Sequence, residues 1–430
     1  MTNLLNYADL ENVLFIFYLI LSLYAINKIP FLKTQAISIR WLSILFIIKI
    51  FAGIAFGLFY KQPQYFATSD TWRFYLLSLK ETDWFLSNPL AFFKDIFTYG
   101  YKDAGNVFSG TTSYWNDLKS NLVIKFLALC NVLTFKSYYT NIILFNLLFL
   151  FGLVGLARVA YAELRAEKWM IALAIFLMPS TLFWCSGIHK DGLILSATGT
   201  VIFLFHRVLE NKKNAFKWIT FCLVSLFLIF LLRNYVALAL VPALLSWWFC
   251  KRLKTNYFVI FSVVYSMGIA LFFILPFLVP GLNFPAFLSN KQHEFLLLQG
   301  GSSLQVFPLE PTIGSFINYL PSALDIAFLR PHLSEVKNPA AMLALIELLM
   351  FAILLILAFV FPLKNQDKIR FGQPPLTFFL FFFGISVLLI AGYTVTFTGA
   401  LVRYRSFALP FIALPLLTFI NFQKIKSRFL

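Results

Sequence analysis

The run YYTNIILFNLLFLFGLVGLA at residues 138–157 decides the fold: it is 20 residues long and contains no charged side chain. About 20 apolar residues make a helix as long as the hydrocarbon core of a bilayer is thick. Working outward with that ruler, comparable runs stand at 13–27, 40–60, 169–187, 190–206, 215–232, 234–250, 256–279, 340–362, 374–396 and 404–421. Together they make about eleven spans. The chain is 60% hydrophobic and 12% charged, with 54 phenylalanines in 430 residues, which excludes a soluble enzyme carrying one anchor. The expected fold class is therefore all-α, a polytopic transmembrane helical bundle, with residues 1–430 forming a single integral membrane domain. No internal repeat is visible, which argues against an inverted-repeat transporter.

The run at 13–27 follows Asp9 and Glu11, where a secretory signal would carry basic residues, and no clean small-residue cleavage site comes after it. It reads as a first span. The four cysteines stand apart with no C-x-x-C pair, so neither a metal knuckle nor a disulfide framework is implied. The formal net charge of +17 is scattered through short loops, without a basic tract or nucleic-acid module. Membrane lipids are the expected partner, and nucleic acid is not.

The basic residues orient the bundle. Alternate connections are loaded with Lys28, Lys33 and Arg40; Arg158, Arg165 and Lys168; Arg207, Lys212, Lys213 and Lys217; Lys251, Arg252 and Lys254; and Lys364, Lys368 and Arg370. The tail adds Lys424, Lys426 and Arg428, so more than half of the 35 Lys and Arg residues fall on one side. The positive-inside rule makes that side cytoplasmic, with the N-terminus outside and the C-terminus inside. Two long connections then face outward. In the first, 61–137, the segments 84–97 and 122–135 have apolar residues at helical spacing and are predicted to lie along the interface. The second, 280–338, holds Pro280, Gly281, Pro285, Gly300, Gly301, Pro308, Pro311, Pro321 and Pro331 between apolar segments, and reads as a folded lid.

Charges near hydrocarbon are costly and often mark function. Asp70-Thr71-Trp72-Arg73 opens the first outer loop; His189-Lys190-Asp191 and Arg233-Asn234 are tight outer turns; Arg403-Tyr404-Arg405 stands at the outer mouth of the last span. Lys190, Arg233, Arg403 and Arg405 run against the orientation bias. Each can snorkel to lipid headgroups; converged, they would form a polyanion site, where the guanidinium fork suits phosphate. Asp70 is either a solvated carboxylate or a general base that deprotonates a hydroxyl. Inside the bilayer, Lys49 lies midway along the second span and Glu347 about nine residues into the ninth, roughly 14 Å deep. They are expected to form a structural ion pair, the alternative being an ion pathway of a transporter.

The stretch Pro179-Ser180-Thr181-Leu182-Phe183-Trp184-Cys185-Ser186-Gly187-Ile188-His189-Lys190-Asp191-Gly192 resembles the P-S-x-x-F-W-x-S-G-x-x-K-D/E pattern of bacterial membrane proteins related to the GT-C-type glycosyltransferases and polysaccharide polymerases. Arg403-Tyr404-Arg405 followed by Pro410 and Pro415 resembles their R-Y-R-x-P-x-x-P ending, with Pro410 later than usual. The resemblance implies a membrane glycosyltransferase or glycan polymerase at the outer face of the bacterial cytoplasmic membrane. Its donor would be a polyprenyl-phosphate- or pyrophosphate-linked sugar, and its acceptor a glycan or lipid. It makes Asp70 the catalytic residue. The substrate-binding candidates, taken from the outer charged clusters, are Arg73, His189, Lys190, Asp191, Arg233, Asn234, Arg403, Tyr404 and Arg405. The family carries its catalytic loop after the first span and this chain after the second, so either a helix has been added or residues 13–27 are not a span. The loop has no Asp-x-Asp, which assigns no cofactor and leaves a divalent cation open. A flippase or transporter of a lipid-linked or anionic glycan is the alternative function.

Overall fold

A computed structural model of the chain describes residues 2–108, 113–210, 214–298, 302–336, 339–363 and 373–429. Every regular element among them is helical, apart from isolated bridges between Ser303 and Phe397 and between Pro362 and Ile420. The first half contains α1 (Thr2–Lys28), α2 (Ile39–Lys61), α3 (Asp70–Ser87), α4 (Tyr114–Thr134), α5 (Tyr138–Leu164), α6 (Pro179–Trp184), α7 (Lys190–Glu210) and α8 (Ala215–Leu232). Then follow α9 (Asn234–Cys250), α10 (Tyr257–Leu278), α11 (Phe284–Leu296), α12 (Ile313–Leu329), α13 (Pro339–Val360), α14 (Pro375–Thr394), α15 (Thr398–Phe419) and α16 (Phe422–Phe429).

Among the described residues, 9 helices are long and apolar enough to cross a membrane; α9 and α12 are apolar but shorter. The outermost faces of α10 and α13 expose Met267, Leu271, Phe277, Leu343, Ile353 and Phe359. So much exposed apolar surface is at home in lipid and not in water. This is a multi-pass membrane protein.

The expected span at 169–187 is not a continuous helix. One α-turn (Lys168–Ile171) runs into a π-turn (Ala172–Phe176), the chain leaves helical geometry at Leu177, and α6 restarts at Pro179. Proline disfavours helix in the residue before it and has no N–H to continue the ladder, which places the break. The segment 84–97 is also divided: α3 ends at Ser87, and Asn88 caps a new turn beginning at Pro89, its side chain accepting from Ala91 N at 3.1 Å.

Where the sequence reads as one domain, the chain contacts divide it into two compact units: Met1–Val159 with Thr181–Val208 and Lys213–Asn234, and Ala160–Ser180 with Leu209–Lys212 and Tyr235–Leu430. In the first unit, α3 and α4 pack through buried amides and hydroxyls. Asn131 Nδ2 donates to Ser78 Oγ (2.9 Å) and Thr82 Oγ1 (3.1 Å), and Asn141 Nδ2 donates to Asn131 Oδ1 (2.7 Å). Ser113 caps α4, and Phe135 ends it in the left-handed region at φ 51°. α5 and α7 meet at Gly152 and Gly199, where a Cβ on either would fall on the other helix's backbone. Small residues let membrane helices approach this closely.

In the second unit, α12, α14 and α15 share a core. Gly392 lies against the Ala323 backbone, and Tyr393 Oη donates to Phe316 O at 2.9 Å. In the second long connection, Leu304 N donates to Thr396 O (2.8 Å), Thr398 N donates to Ser302 O (3.0 Å), and Leu304 and Leu309 are buried with Phe316 and Tyr319. Gly300 and Gly301, and the basic residues Lys212, Lys213, Lys364, Lys368 and Arg370, lie outside the described residues.

Candidate functional site

Asp70 begins α3, so its carboxylate sits in the first helical turn, where the free N–H groups and helix dipole favour negative charge. Arg73, one turn on, reaches Asp70 Oδ1 at 3.3 Å from an exposed position. The other oxygen faces inward: Asp70 Oδ2 lies 3.4 Å from His189 Nε2. Beyond the ring, His189 Nδ1 lies 2.9 Å from Asp191 Oδ2, and Asp191 Oδ1 lies 2.5 Å from Arg233 Nη2. Four residues thus form a row running from a carboxylate that is 29% exposed to one that is fully buried.

The turn at 185–192 is held tightly enough to aim that imidazole. Gly187 sits under the Phe56 ring and Gly192 under Phe149, with no room for a Cβ at either. The His189 ring lies 6.3 Å from Phe56 and 6.4 Å from Phe74. Lys190 Nζ stands 5.4 Å from the Phe74 ring centre, and the Arg73 guanidinium stands 5.6 Å from it. Arg233 closes α8, its N–H donating to Ile229 O at 2.7 Å, and Asn234 Nδ2 donates to Val107 O at 3.3 Å, fastening the first long connection.

His189 Nδ1 accepts from the backbone N–H of Asp191 at 3.2 Å, and Asp191 Oδ2 lies 2.9 Å from the same nitrogen. Nε2, across the ring, faces Asp70 Oδ2, so a proton can pass between these two atoms. In chemical terms the row is a half-exposed carboxylate backed by an oriented imidazole, a buried counter-carboxylate and a guanidinium, with Arg73 and Lys190 nearby. The imidazole separates the two carboxylates, so the row does not close round a metal ion.

The other candidates belong to the second unit. Arg405 is turned inward, 3% exposed, with Nη1 donating to Arg330 O at 2.7 Å. Arg330 in turn pairs with Asp325 (Nε to Oδ2, 2.8 Å) and Glu335, and Asp325 Oδ1 lies 2.9 Å from His332 Nε2. Tyr404 stacks with Tyr235 and meets Phe295 edge-on, while the carbonyl of Arg403 accepts from Ser406 Oγ. The Asp325–Arg330–His332–Glu335 group was missed from sequence, because one residue in the last turns of α12 and three in the segment after it have no periodicity that marks them as one cluster.

Lys49 and Glu347, expected to pair, belong one to each unit, and each has polar partners within its own unit. Lys49, buried in α2, donates to Cys185 O (3.2 Å) and Ser186 Oγ (2.8 Å) within the first unit. Glu347, buried in α13, accepts from the backbone N–H of Ser180 (2.9 Å) and from its hydroxyl within the second. The physical reason is local: the break before Pro179 and the turn after Trp184 leave N–H, C=O and hydroxyl groups inside the protein, and a buried charge takes the nearest such groups. Set beside known proteins, the chain matches no family model, no curated protein and no solved structure.

Proposed function

We propose that this protein is a membrane glycosyltransferase or glycan polymerase that works on a polyprenyl-phosphate- or pyrophosphate-linked sugar at the outer face of a bacterial cytoplasmic membrane, with about eleven spans. The single observation that carries the reading is the Asp70–His189–Asp191–Arg233 row. Asp70 Oδ would take the proton of an acceptor hydroxyl. The acceptor oxygen forms the new bond to the anomeric carbon as the bond to the carrier phosphate breaks, and the phosphate leaves with that electron pair. His189, held by Asp191, orients Asp70 and can relay the proton, as a carboxylate-backed imidazole does elsewhere. Arg73 and Lys190 supply positive charge near the carboxylate, of the kind that favours a developing phosphate leaving group. A single displacement of this type inverts the anomeric configuration.

The test uses purified protein in vesicles with a labelled polyprenyl-linked sugar. Asp70→Asn keeps the shape but removes the base, so transfer should fall by a factor on the order of 10²–10⁴ while the protein inserts and melts as before. Normal transfer by Asp70→Asn would remove Asp70 from the mechanism. A second reading, flipping or transport of a lipid-linked or anionic glycan, is favoured by Glu347 and Arg405, two charges buried within spans. Sugar crossing the bilayer without any glycosidic bond being formed would select it.

A further inference from the structure

Outside the Asp70 row, the first long connection carries an open surface pocket of about 250 Å³, lined among others by Asp95, Tyr99, Gly100, Tyr101, Tyr114 and Asp117. The Tyr99 and Tyr114 rings lie 5.6 Å apart at an angle of 53°, making a bent aromatic wall. The polar side is already oriented. Asp117 Oδ2 accepts from Tyr101 Oη at 2.7 Å, and Asp95 is held by Lys125 (3.0 Å) and by the Thr98 hydroxyl (3.0 Å). Tyr114 Oη donates to Ile96 O at 2.7 Å, which fixes the ring as part of the wall. Gly100 leaves one side bare: a Cβ there would meet no atom within 4 Å.

From this geometry we infer that the pocket is a binding subsite for one sugar ring of the glycan acceptor, a deeper reading that rests on the glycosyltransferase function proposed above. Aromatic faces stack against the C–H face of a sugar, and carboxylates with oriented lone pairs accept from its hydroxyls. Pocket size agrees, since drug-sized ligands take roughly 300–1,000 Å³ and this space is smaller, near one ring. Lys125 is shared between Asp95 and Glu81, and Asp117 already accepts from the neutral Tyr101, so the polar side offers oriented acceptors to a polyol's hydroxyls. A cation is the competing outcome of the test.

Saturation-transfer NMR on the full chain in nanodiscs provides the test, with a neutral hexose, a 6-deoxyhexose, an N-acetylhexosamine and choline as probes. At least one sugar should receive transfer, and choline none. Gly100→Leu adds a branched side chain on the pocket lining, where a Cβ meets no atom within 4 Å, and Asp117→Ala removes the hydroxyl acceptor; each should abolish the signal while the melting temperature stays put. Asp70→Asn should bind sugar as the native chain does. Transfer to choline alone, no transfer to any sugar, or sugar binding that survives Gly100→Leu would each overturn the subsite. Sugar binding in a chain whose Asp70→Asn variant keeps full activity would sink the catalytic proposal and leave the subsite standing.

Discussion

At the scale of single residues, the first unit contains two kinds of carboxylate. Asp191 is sealed between His189 and Arg233. Removing it with Asp191→Ala strands a buried ion, which typically costs roughly 3–5 kcal/mol. We expect poor folding and a sharply lower melting temperature in detergent, where Asp70→Asn leaves melting unchanged. Equal melting of the two variants would mean that Asp191 is not structurally paired. Asp95 tests the same physics through pH. Partial burial acts to raise its pKa, but the hydrogen bonds from Lys125 and Thr98 and the charge of Lys125 outweigh it and hold the group below its ordinary value of 3.8. The sign follows from linkage: a carboxylate depressed in the fold stabilises above its unfolded pKa, and that stability is lost as pH falls through the lower folded value. Melting of the native chain should therefore drop more steeply between pH 4 and 2 (roughly, given carboxylate pKa values near 3.9) than that of Asp95→Asn. Parallel curves would show that the Lys125 contact contributes nothing.

At the scale of elements, the helices are joined by close approach as much as by apolar bulk. Gly152 of α5 faces Ser196 and Gly199 of α7, and backbone cannot move aside as a flexible side chain can. Gly152→Ala should cost about 1–3 kcal/mol through overpacking, seen as a lower melting temperature in detergent. Gly268 of α10 is the built-in control, because a Cβ there meets nothing within 4 Å. Gly268→Ala should be neutral or stabilising by up to about 1 kcal/mol, since alanine is the better helix former. If the two alanines behave alike, the α5–α7 contact is not as tight as described.

At the scale of the whole molecule, the open matter is which side faces out. The basic connections predict that the 251–254 turn is cytoplasmic and the second long connection external. All four cysteines, Cys130, Cys185, Cys222 and Cys250, are buried, and burial pushes the Cys130 thiol up to about 12, so the native chain gives a quiet background. A membrane-impermeant maleimide applied to intact cells should label Gln305→Cys and leave Lys254→Cys untouched until the cells are opened. The reverse pattern would place the basic connections outside and overturn the outer-face assignment.

The apolar helices and the helical class were legible in sequence, because transfer of apolar side chains out of water is a local property that sums along a run such as 138–157. Asp70, His189, Asp191 and Arg233 were legible too, as charges standing where charges are costly. Their order was not. Asp70 and His189 are separated by 119 positions, and only the packing of α2, α3 and α7 with the end of α8 puts the imidazole behind one carboxylate and in front of the other. The same holds for Lys49 and Glu347. Depth along a helix suggested a pair, but which hydrogen-bonding groups a buried charge meets depends on where the backbone breaks: the turn after Trp184 supplies those of Lys49, and the restart at Pro179 those of Glu347. Sequence alone determined what must be inside the membrane; tertiary structure decided which polar groups meet there, because those contacts are made between segments whose spacing along the chain sets no distance in space.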